Sequence, residues 1–402
     1  MINTSMLWNE MVALIDCNDA IIDLNNAIAD NPEVAWHEYN SSKLHVEFLR
    51  SFGVENVEYP AYGLATSYRA EIGDGKPTIL LCAEYDALPD IGHGCGHCCH
   101  GAMSLLSFIA LKNIIGEIGG RLIILGTPAE ELSIANNTPG KLKLIDMGAF
   151  KDVDLAMMIH STSGNRNVVK MNTTQLVMIE FKFEGKSAHA AANPWQGRSS
   201  SAANMLFFHA IDSMRLHIPS TSDSVHGIMT NGGSSPSIIP DISTSLFLIR
   251  SQSSENLDEL KKWTITASKG CAHAMQTKVR HKVICDIKGL KHNRTALMMM
   301  EEIFRTLGLS LLEEWTIGGS TDMGNVSHIC PAIHAGLSIN NADIPLHSEE
   351  FANLVKLPEA HQAIRLGARI IAKSCMKYLT DKKLQKLIEN EFKESQTSNQ
   401  LI

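Results

Sequence analysis

The sequence predicts an α/β fold with a mixed, largely parallel sheet, interrupted by a small α+β insertion. Three observations carry that prediction. Fully apolar runs at residues 79–82 and 122–125 suit strands of a parallel sheet covered on both faces. Such runs alternate with helix-like stretches, which is the pattern of an α/β domain. From about residue 175 the texture changes to strands with one wet face and amphipathic helices, and the α/β texture resumes after Gly289.

Taken in order, residues 6–29 carry apolar positions at helical spacing (Met6, Leu7, Met11, Leu14, Ile15, Ile22), with Pro32 beyond them as a stop. The strand-like TILLCAEYDALP (78–89) precedes a helix expected at about 98–115. RLIILGTPAEE (121–131) precedes one near 139–147, and VDLAMMIHS (153–161) follows. In the insertion, LVMIEFKFEG (176–185), STSLFLIRS (243–251) and KVRHKVICDI (278–287) read as strands. AANMLFFHAIDSMRLH (202–217) and ENLDELKKWTITASKGCAHAM (255–275) read as helices. The order strand–helix–strand–strand–helix–strand describes a module of split-βαβ type. The last part ends in a long helix-like stretch, 353–378, and a charged, Gln/Ser-rich tail expected to fray. The expected division is one domain in two halves, 1–174 and 290–402, interrupted by a second at 175–289.

The 402 residues are 44% hydrophobic and 19% charged, an ordinary globular balance rather than a disordered one. Net charge is −8, and no Lys/Arg stripe offers the electrostatic footprint of a nucleic-acid platform. No apolar run approaches the ~20 residues a membrane-spanning helix needs. The N-terminal stretch has acids within its apolar run and no basic region, so no signal peptide is expected. Nine unevenly spaced cysteines do not make a disulfide framework, and a reducing cytoplasm is the expected location.

The densest chemical signal is IGHGCGHCCHG (91–101), where six of the eight positions from His93 to His100 are His or Cys. Chance would supply about half of one. Thiolate and imidazole in this density suit zinc or a related divalent transition metal. A structural zinc knuckle would need a second Cys/His pair about a dozen residues away, and the next His is His160. A redox pair would need Cys-x-x-Cys, which Cys95 and Cys98 supply. Taken alone, the segment leaves a catalytic metal, a structural metal and a redox pair open.

Three further signals follow strands. Glu130 and Glu131 are adjacent carboxylates at a strand terminus. Metal-assisted hydrolysis uses one carboxylate to hold a cation and another to take a proton from water, although most Glu-Glu pairs are solvated surface. His160 ends an apolar strand and His347 lies in the polar turn PLHSEEF; singly, each fits a packed or capping residue. The carboxyl edge of one sheet would gather all four signals into one site.

The motifs AEYDALPDIGHGCGHCCH, GTPAEE, DLAMMIH, FEGKSAHAAANPWQGRS, GSTDMGNVS and PLHSEEF resemble, in order and spacing, the aminoacylase/carboxypeptidase-type metallopeptidases of clan MH. The branch they resemble holds p-aminobenzoyl-glutamate hydrolase, the auxin-conjugate amidohydrolases and the β-alanyl-lysine-type dipeptidases. The correspondence runs from about residue 20 to 365. The resemblance implies a zinc-peptidase-like catalytic domain and a ferredoxin-like lid and dimerisation domain. It also implies two divalent ions per subunit, zinc or manganese, with cobalt able to substitute in vitro. The metal ligands it implies are Cys95, His97, Glu131, His160 and His347, with Glu130 as general base and Asp86 orienting a ligand. His189 matches a residue that polarises the scissile carbonyl, and Arg250 one that meets a substrate carboxylate. Gly319, Ser320 and Thr321 match a substrate-binding turn.

Three positions depart from the family pattern. Cys98 follows the ligand His where Asp or Asn is usual, Ser237 stands where a lid Asn is usual, and Glu84 stands where the wider family has a His. The expected activity is hydrolysis of a linear amide in an N-acyl amino acid, dipeptide or related conjugate, through a metal-activated water. The alternatives are a ureido or carbamoyl hydrolase of the same fold and a non-catalytic metal-binding protein. A small-molecule substrate and a homodimer are the expected partners.

Overall fold

The computed structural model describes residues 3–131, 138–218 and 220–398. The chain divides into two compact units. The larger comprises Met1–Asn172, Leu290–Thr316 and Asp322–Ile402, and the smaller comprises Thr173–Gly289 and Ile317–Thr321.

The larger unit begins with helices α1 (Thr4–Asp16), α2 (Ala20–Asp30) and α3 (Tyr39–Ser51). The apolar run expected as one helix over 6–29 is therefore two. The chain breaks at Asn18, whose side-chain oxygen accepts the Ile21 N–H of the second helix's first turn at 3.2 Å. Strands β1 (Val57–Glu58), β2 (Arg69–Asp74) and β3 (Thr78–Ala83) follow, then α4 (His97–Lys112), α5 (Ile115–Ile118), β4 (Gly120–Gly126), α6 (Gly140–Asp146), β5 (Leu155–Thr162) and β6 (Met171–Asn172).

The smaller unit carries β7 (Gln175–Glu184), β8 (Ala188–His189), α7 (Ser200–Arg215), β9 (Ser224–Asn231), β10 (Ile238–Ile239), β11 (Ile242–Ser251), α8 (Ser254–Ala274) and β12 (Lys278–Ile287). Its main sheet has the order β12-β7-β11-β9, antiparallel throughout. This is the ferredoxin-like arrangement. Along β11 alternate residues are buried. Phe247 and Ile249 join Phe181, Phe183 and the helix residues Phe207, Ile211, Leu257 and Leu260 in one core. Alternation of period two is what a sheet covered on one face requires.

The larger unit resumes with α9 (Arg294–Thr306), β13 (Trp315–Thr316), α10 (Met323–Ser327), β14 (Ala332–Ser338), α11 (Glu349–Leu354), α12 (Pro358–Thr380) and α13 (Lys382–Ser398). The stretch read as one helix over 353–378 is broken at Pro358. Proline lacks the N–H a helix interior needs, and here it opens a new helix at its first turn. The tail expected to fray is helical through Ser398, and residues 399–402 lie outside the described ones. Asn293 and Glu391 explain the order: the Asn293 amide donates to the Ile388 carbonyl at 2.8 Å, and Glu391 accepts the Arg294 and Thr295 N–H groups at 2.6 and 3.0 Å.

Among the described residues the central sheet has the order β1-β2-β4-β3-β5-β14. β4, β3, β5 and β14 run parallel, while β2 and β1 form an antiparallel edge. Helix α4 is buried from His97 to Leu111, as a helix apolar on all sides must be. Its Leu105, Leu106, Phe108 and Leu111 are fully buried, each contributing roughly 1.5–3 kcal/mol of burial. The parallel strands thereby bring their carboxyl ends, and the turns that follow them, to one edge.

Candidate metal centre

The turn after β3 supplies Asp86, and the segment entering α4 supplies Cys95 and His97. Gly96 precedes α4 with φ 76°. A side chain there would meet Ser161 at 2.9 Å, so glycine lets the Cys-Gly-His segment lie against the end of β5. His160, near the end of β5, donates its Nδ1–H to the Ser161 carbonyl at 2.8 Å. That leaves Nε2 as a lone-pair donor, and it lies 3.5 Å from Cys95 Sγ. Burial, together with the neighbouring His97 charge, pushes the His160 pKa down to about 4, so the ring is neutral and able to ligate.

After β4 come Glu130 and Glu131. Glu131 Oε1 lies 3.3 Å from His347 Nε2. His347 is held with φ 63° and its N–H donates to the Gly94 carbonyl at 2.8 Å. The Asp86 carboxylate bridges the set. Oδ1 accepts from His97 Nδ1 at 2.8 Å and Oδ2 accepts the Glu131 N–H at 2.8 Å. The bond to His97 is buried and fixes its tautomer, which leaves Nε2 as the lone-pair nitrogen.

Among the described residues the donors form overlapping groups: Cys95, His97 and His160 share one thiol with Cys95, Glu131 and His347, and His97 also lies with Glu130 and Glu131 and with Glu84 and His100. His97 Nε2 is buried with no hydrogen-bond partner. An orphaned buried nitrogen costs about 1–3 kcal/mol, a cost that a cation at this point would remove. The 3.3 and 3.5 Å donor separations match the edge of a tetrahedron about an ion with ligand bonds of roughly 2.0–2.3 Å. The residues therefore fit a pair of divalent cations.

Adjacent in sequence, Glu130 and Glu131 are driven apart electrostatically. Burial and the Glu131 charge, with Glu84 and Asp322 nearby, hold Glu130 well above the usual carboxylate range. Burial also pushes Glu131 up, but its hydrogen bond to His347 and the His97 charge more than offset that, and its pKa ends below the ordinary value. Neighbouring carboxyls with separated pKa values divide naturally into a proton carrier and a permanent anion.

A buried polar layer behind these residues was not apparent from sequence. Lys141 Nζ, fully buried, donates to Glu84 Oε1 at 2.6 Å and Asp322 Oδ1 at 2.5 Å. Glu84 Oε2 lies 3.1 Å from His100 Nδ1, and His100 Nε2 accepts the Ser161 N–H at 2.6 Å. Glu84, where the wider family has a histidine, is thus committed to a lysine and a second histidine. Cys98 and Cys99 are buried in the apolar core. Within the His/Cys-rich segment, Cys95 and His97 are the residues that join the donor groups around Glu131, His160 and His347.

The other expected site residues belong to the smaller unit. His189 is exposed on β8, which pairs with Ile238 and Ile239. Its Nδ1 accepts the Ala191 and Ala192 N–H groups at 3.2 and 3.1 Å, so a neutral ring carries its proton on Nε2. Ser237, in place of the usual lid Asn, contributes its carbonyl to the Ala190 N–H at 3.0 Å. Arg250 lies on the face of β11 opposite Phe247 and Ile249. Gly319, Ser320 and Thr321 run as irregular chain rather than a regular turn, and the Gly319 carbonyl accepts the Thr174 N–H at 2.9 Å.

Comparison with known proteins gives the family. Residues 80–373 match the family described as "Peptidase family M20/M25/M40". The chain is 30% identical over 406 residues to a mouse (Mus musculus) protein named Xaa-Arg dipeptidase, covering 94% of this chain and 90% of that one. Its fold resembles the crystal structure of an aminobenzoyl-glutamate utilization protein from Klebsiella pneumoniae, with TM-score 0.73, 14% identity and coverage of 92% and 98%. It also resembles a dinuclear metal binding peptidase from Bacillus subtilis, with TM-score 0.64, 18% identity and coverage of 91% and 99%. With nearly three quarters of its length inside the family match and a relative aligned along almost all of it, the chain belongs to peptidase family M20/M25/M40.

Proposed function

We propose that this metal-dependent amidohydrolase cleaves the amide bond of a dipeptide or N-acyl amino acid, with Glu130 carrying the proton. Metal-dependent amide hydrolysis is the activity of its family. The residue roles and the substrate are our reading, and the observation that carries it is the pair of donor groups meeting at Cys95. Cys95, His97, Glu131, His160 and His347 would hold two divalent cations; the thiol favours zinc over manganese. Bound there, the cations would polarise the scissile carbonyl and make water acidic enough to be deprotonated near neutral pH.

Glu130 takes the proton from the attacking water. It keeps that proton until the C–N bond breaks, and it then passes it to the departing amine nitrogen. His189, protonated on Nε2, would donate to the carbonyl oxygen as negative charge develops there. The planar Arg250 guanidinium suits a substrate carboxylate, and the backbone N–H groups at 319–321 suit an anionic part of the substrate. A dipeptide with a free carboxyl end meets these requirements, and the relative named as an Xaa-Arg dipeptidase supports that substrate class.

The smaller unit also supports a homodimer. Ile228 and Met229 on the edge strand β9, and Met205 and Leu206 on α7, are exposed apolar side chains, and an unpaired apolar edge invites a second copy. Free thiols throughout the described residues support a reducing compartment such as the cytoplasm.

The test is amine release from dipeptides, N-acyl amino acids and N-carbamoyl amino acids by protein loaded with zinc, manganese or cobalt. Glu130→Gln serves as control. Turnover of the first two classes, absent in the control, is the expected result. Turnover confined to carbamoyl acids overturns the substrate class, and silence with two ions bound overturns the catalytic reading.

A further inference from the structure

We infer that Glu38 is a positioning residue for Glu130, acting through the backbone of Ala129. The inference rests on the reading of Glu130 as the proton carrier and adds a residue, far away in sequence, that sets its geometry. Ala129 has φ 55°, a left-handed conformation that is costly for a non-glycine residue and persists only where its surroundings over-determine it.

Here they do. The Ala129 N–H donates to Glu38 Oε1 at 2.8 Å in a fully buried bond. The Ala129 carbonyl accepts the Gly140 N–H at 2.9 Å. A side chain at Gly140 would meet the Pro128 carbonyl at 1.7 Å, so glycine alone permits that closure. One residue beyond Glu130, the Glu131 N–H is held by Asp86. Glu130 therefore lies between two amides, each fixed by a different buried carboxylate.

Glu38 is itself anchored. It is fully buried, and the same Oε1 accepts the Trp36 N–H at 2.9 Å. The Trp36 indole donates to the Thr138 carbonyl at 3.2 Å, tying the Trp36–Glu38 corner to the chain just before Gly140. Glu38 does not belong to any of the metal-ligand groups; the hydrogen bond that links it to the Glu130 segment is the one from the Ala129 N–H. The role needs one oxygen at full glutamate reach that accepts two N–H groups. Glutamine keeps that oxygen, whereas aspartate withdraws it by about one C–C bond, roughly 1.5 Å.

The experiment compares Glu38→Gln, Glu38→Asp and Glu38→Ala as zinc-loaded enzymes, with Glu130→Gln alongside. For each, kcat, KM, bound zinc per chain and hydrogen exchange of the Ala129 amide are measured. Glu38→Gln is expected within about threefold of wild type in kcat with the amide still protected, because the accepting oxygen survives. Glu38→Asp and Glu38→Ala are expected to lose about 10- to 100-fold in kcat, the scale of an ångström's misplacement of a reacting group. Their KM and zinc content should stay within about twofold while the Ala129 amide exchanges at least tenfold faster. If Glu38→Ala does not fold, the contrast between Glu38→Asp and Glu38→Gln decides. Wild-type kcat in Glu38→Asp with a deprotected amide overturns the inference. So does an equal loss in Glu38→Gln, or a loss of kcat that tracks loss of zinc. Full turnover in Glu130→Gln would instead overturn the reading of Glu130 itself.

Discussion

Replacing Asp86 with asparagine changes one atom of a buried side chain and should weaken the metal centre. Both Asp86 partners are donors: His97 Nδ1–H at 2.8 Å and the Glu131 N–H at 2.8 Å. Asparagine offers one acceptor and one NH2 group, so in either orientation a donor faces a donor. Losing a hydrogen bond to a charged group costs about 1.5–3 kcal/mol. Oriented one way, the amide releases the His97 ring to turn; oriented the other, it displaces the Glu131 backbone. Either loosens a ligand, and removing such a supporting partner weakens metal affinity about 10- to 100-fold, or about 1.4–2.7 kcal/mol. Competition with a coloured chelator measures the zinc affinity of wild type and Asp86→Asn directly. A tenfold or greater loss is expected. An affinity within twofold of wild type would refute the claim that Asp86 orients both ligands.

Lys141→Met strands the buried carboxylates of Glu84 and Asp322, which lie 2.6 and 2.5 Å from the ammonium. Breaking a buried ion cluster on one side costs roughly 3–5 kcal/mol, read as lost unfolding free energy. A triple variant that also carries Glu84→Gln and Asp322→Asn should recover part of it, and a loss under about 1 kcal/mol in Lys141→Met alone contradicts the account. His45, whose Nδ1 lies 2.9 Å from the Tyr68 hydroxyl, sets an acid limit. Burial, with the His93 charge nearby, lowers its pKa from 6.5 to about 3. The folded protein keeps the ring neutral while the unfolded chain takes up a proton, so this stability is complete above pH 6.5 and is lost as pH falls from 6.5 toward 3. At pH 5.5 the loss is about 1.4 kcal/mol, and His45→Gln should flatten the slope by close to one proton; an unchanged slope would exclude His45 as its source.

How much of this was readable from sequence depends on where each residue's partners lie. The parallel strands announced themselves because a strand buried on both faces must be apolar along its length, as Thr78–Ala83 is. The segment that holds Cys95 and His97 stood out because thiol and imidazole cluster within one short stretch, whereas Glu131, His160 and His347 joined it as ligands only through the family resemblance. Lys141 gave no such signal. In GKLKLID it reads as the wet side of a short helix, and its burial arises from Glu84 and Asp322, residues 57 and 181 positions away. Glu38 was equally silent, since its partner Ala129 is 91 residues distant and the bond is to backbone, which leaves no mark on residue type. The break at Pro358 was legible in principle, but helical spacing on both sides of it hid the boundary. The C-terminal helix was misjudged because its charged composition resembles a loose tail, while its anchors, Asn293 and Glu391, reveal themselves only when packed.

The central claim is that Glu130 moves the proton and the five ligands hold the metal independently of it. Glu130→Gln keeps the shape of the side chain and removes its basicity. The measurement is kcat for dipeptide hydrolysis together with bound zinc per chain, in wild type and in this variant. The expected result is a fall in kcat of at least about 100-fold, the scale of general base catalysis, with zinc content unchanged. Turnover near wild type, or a loss of zinc matching the loss of turnover, would contradict it.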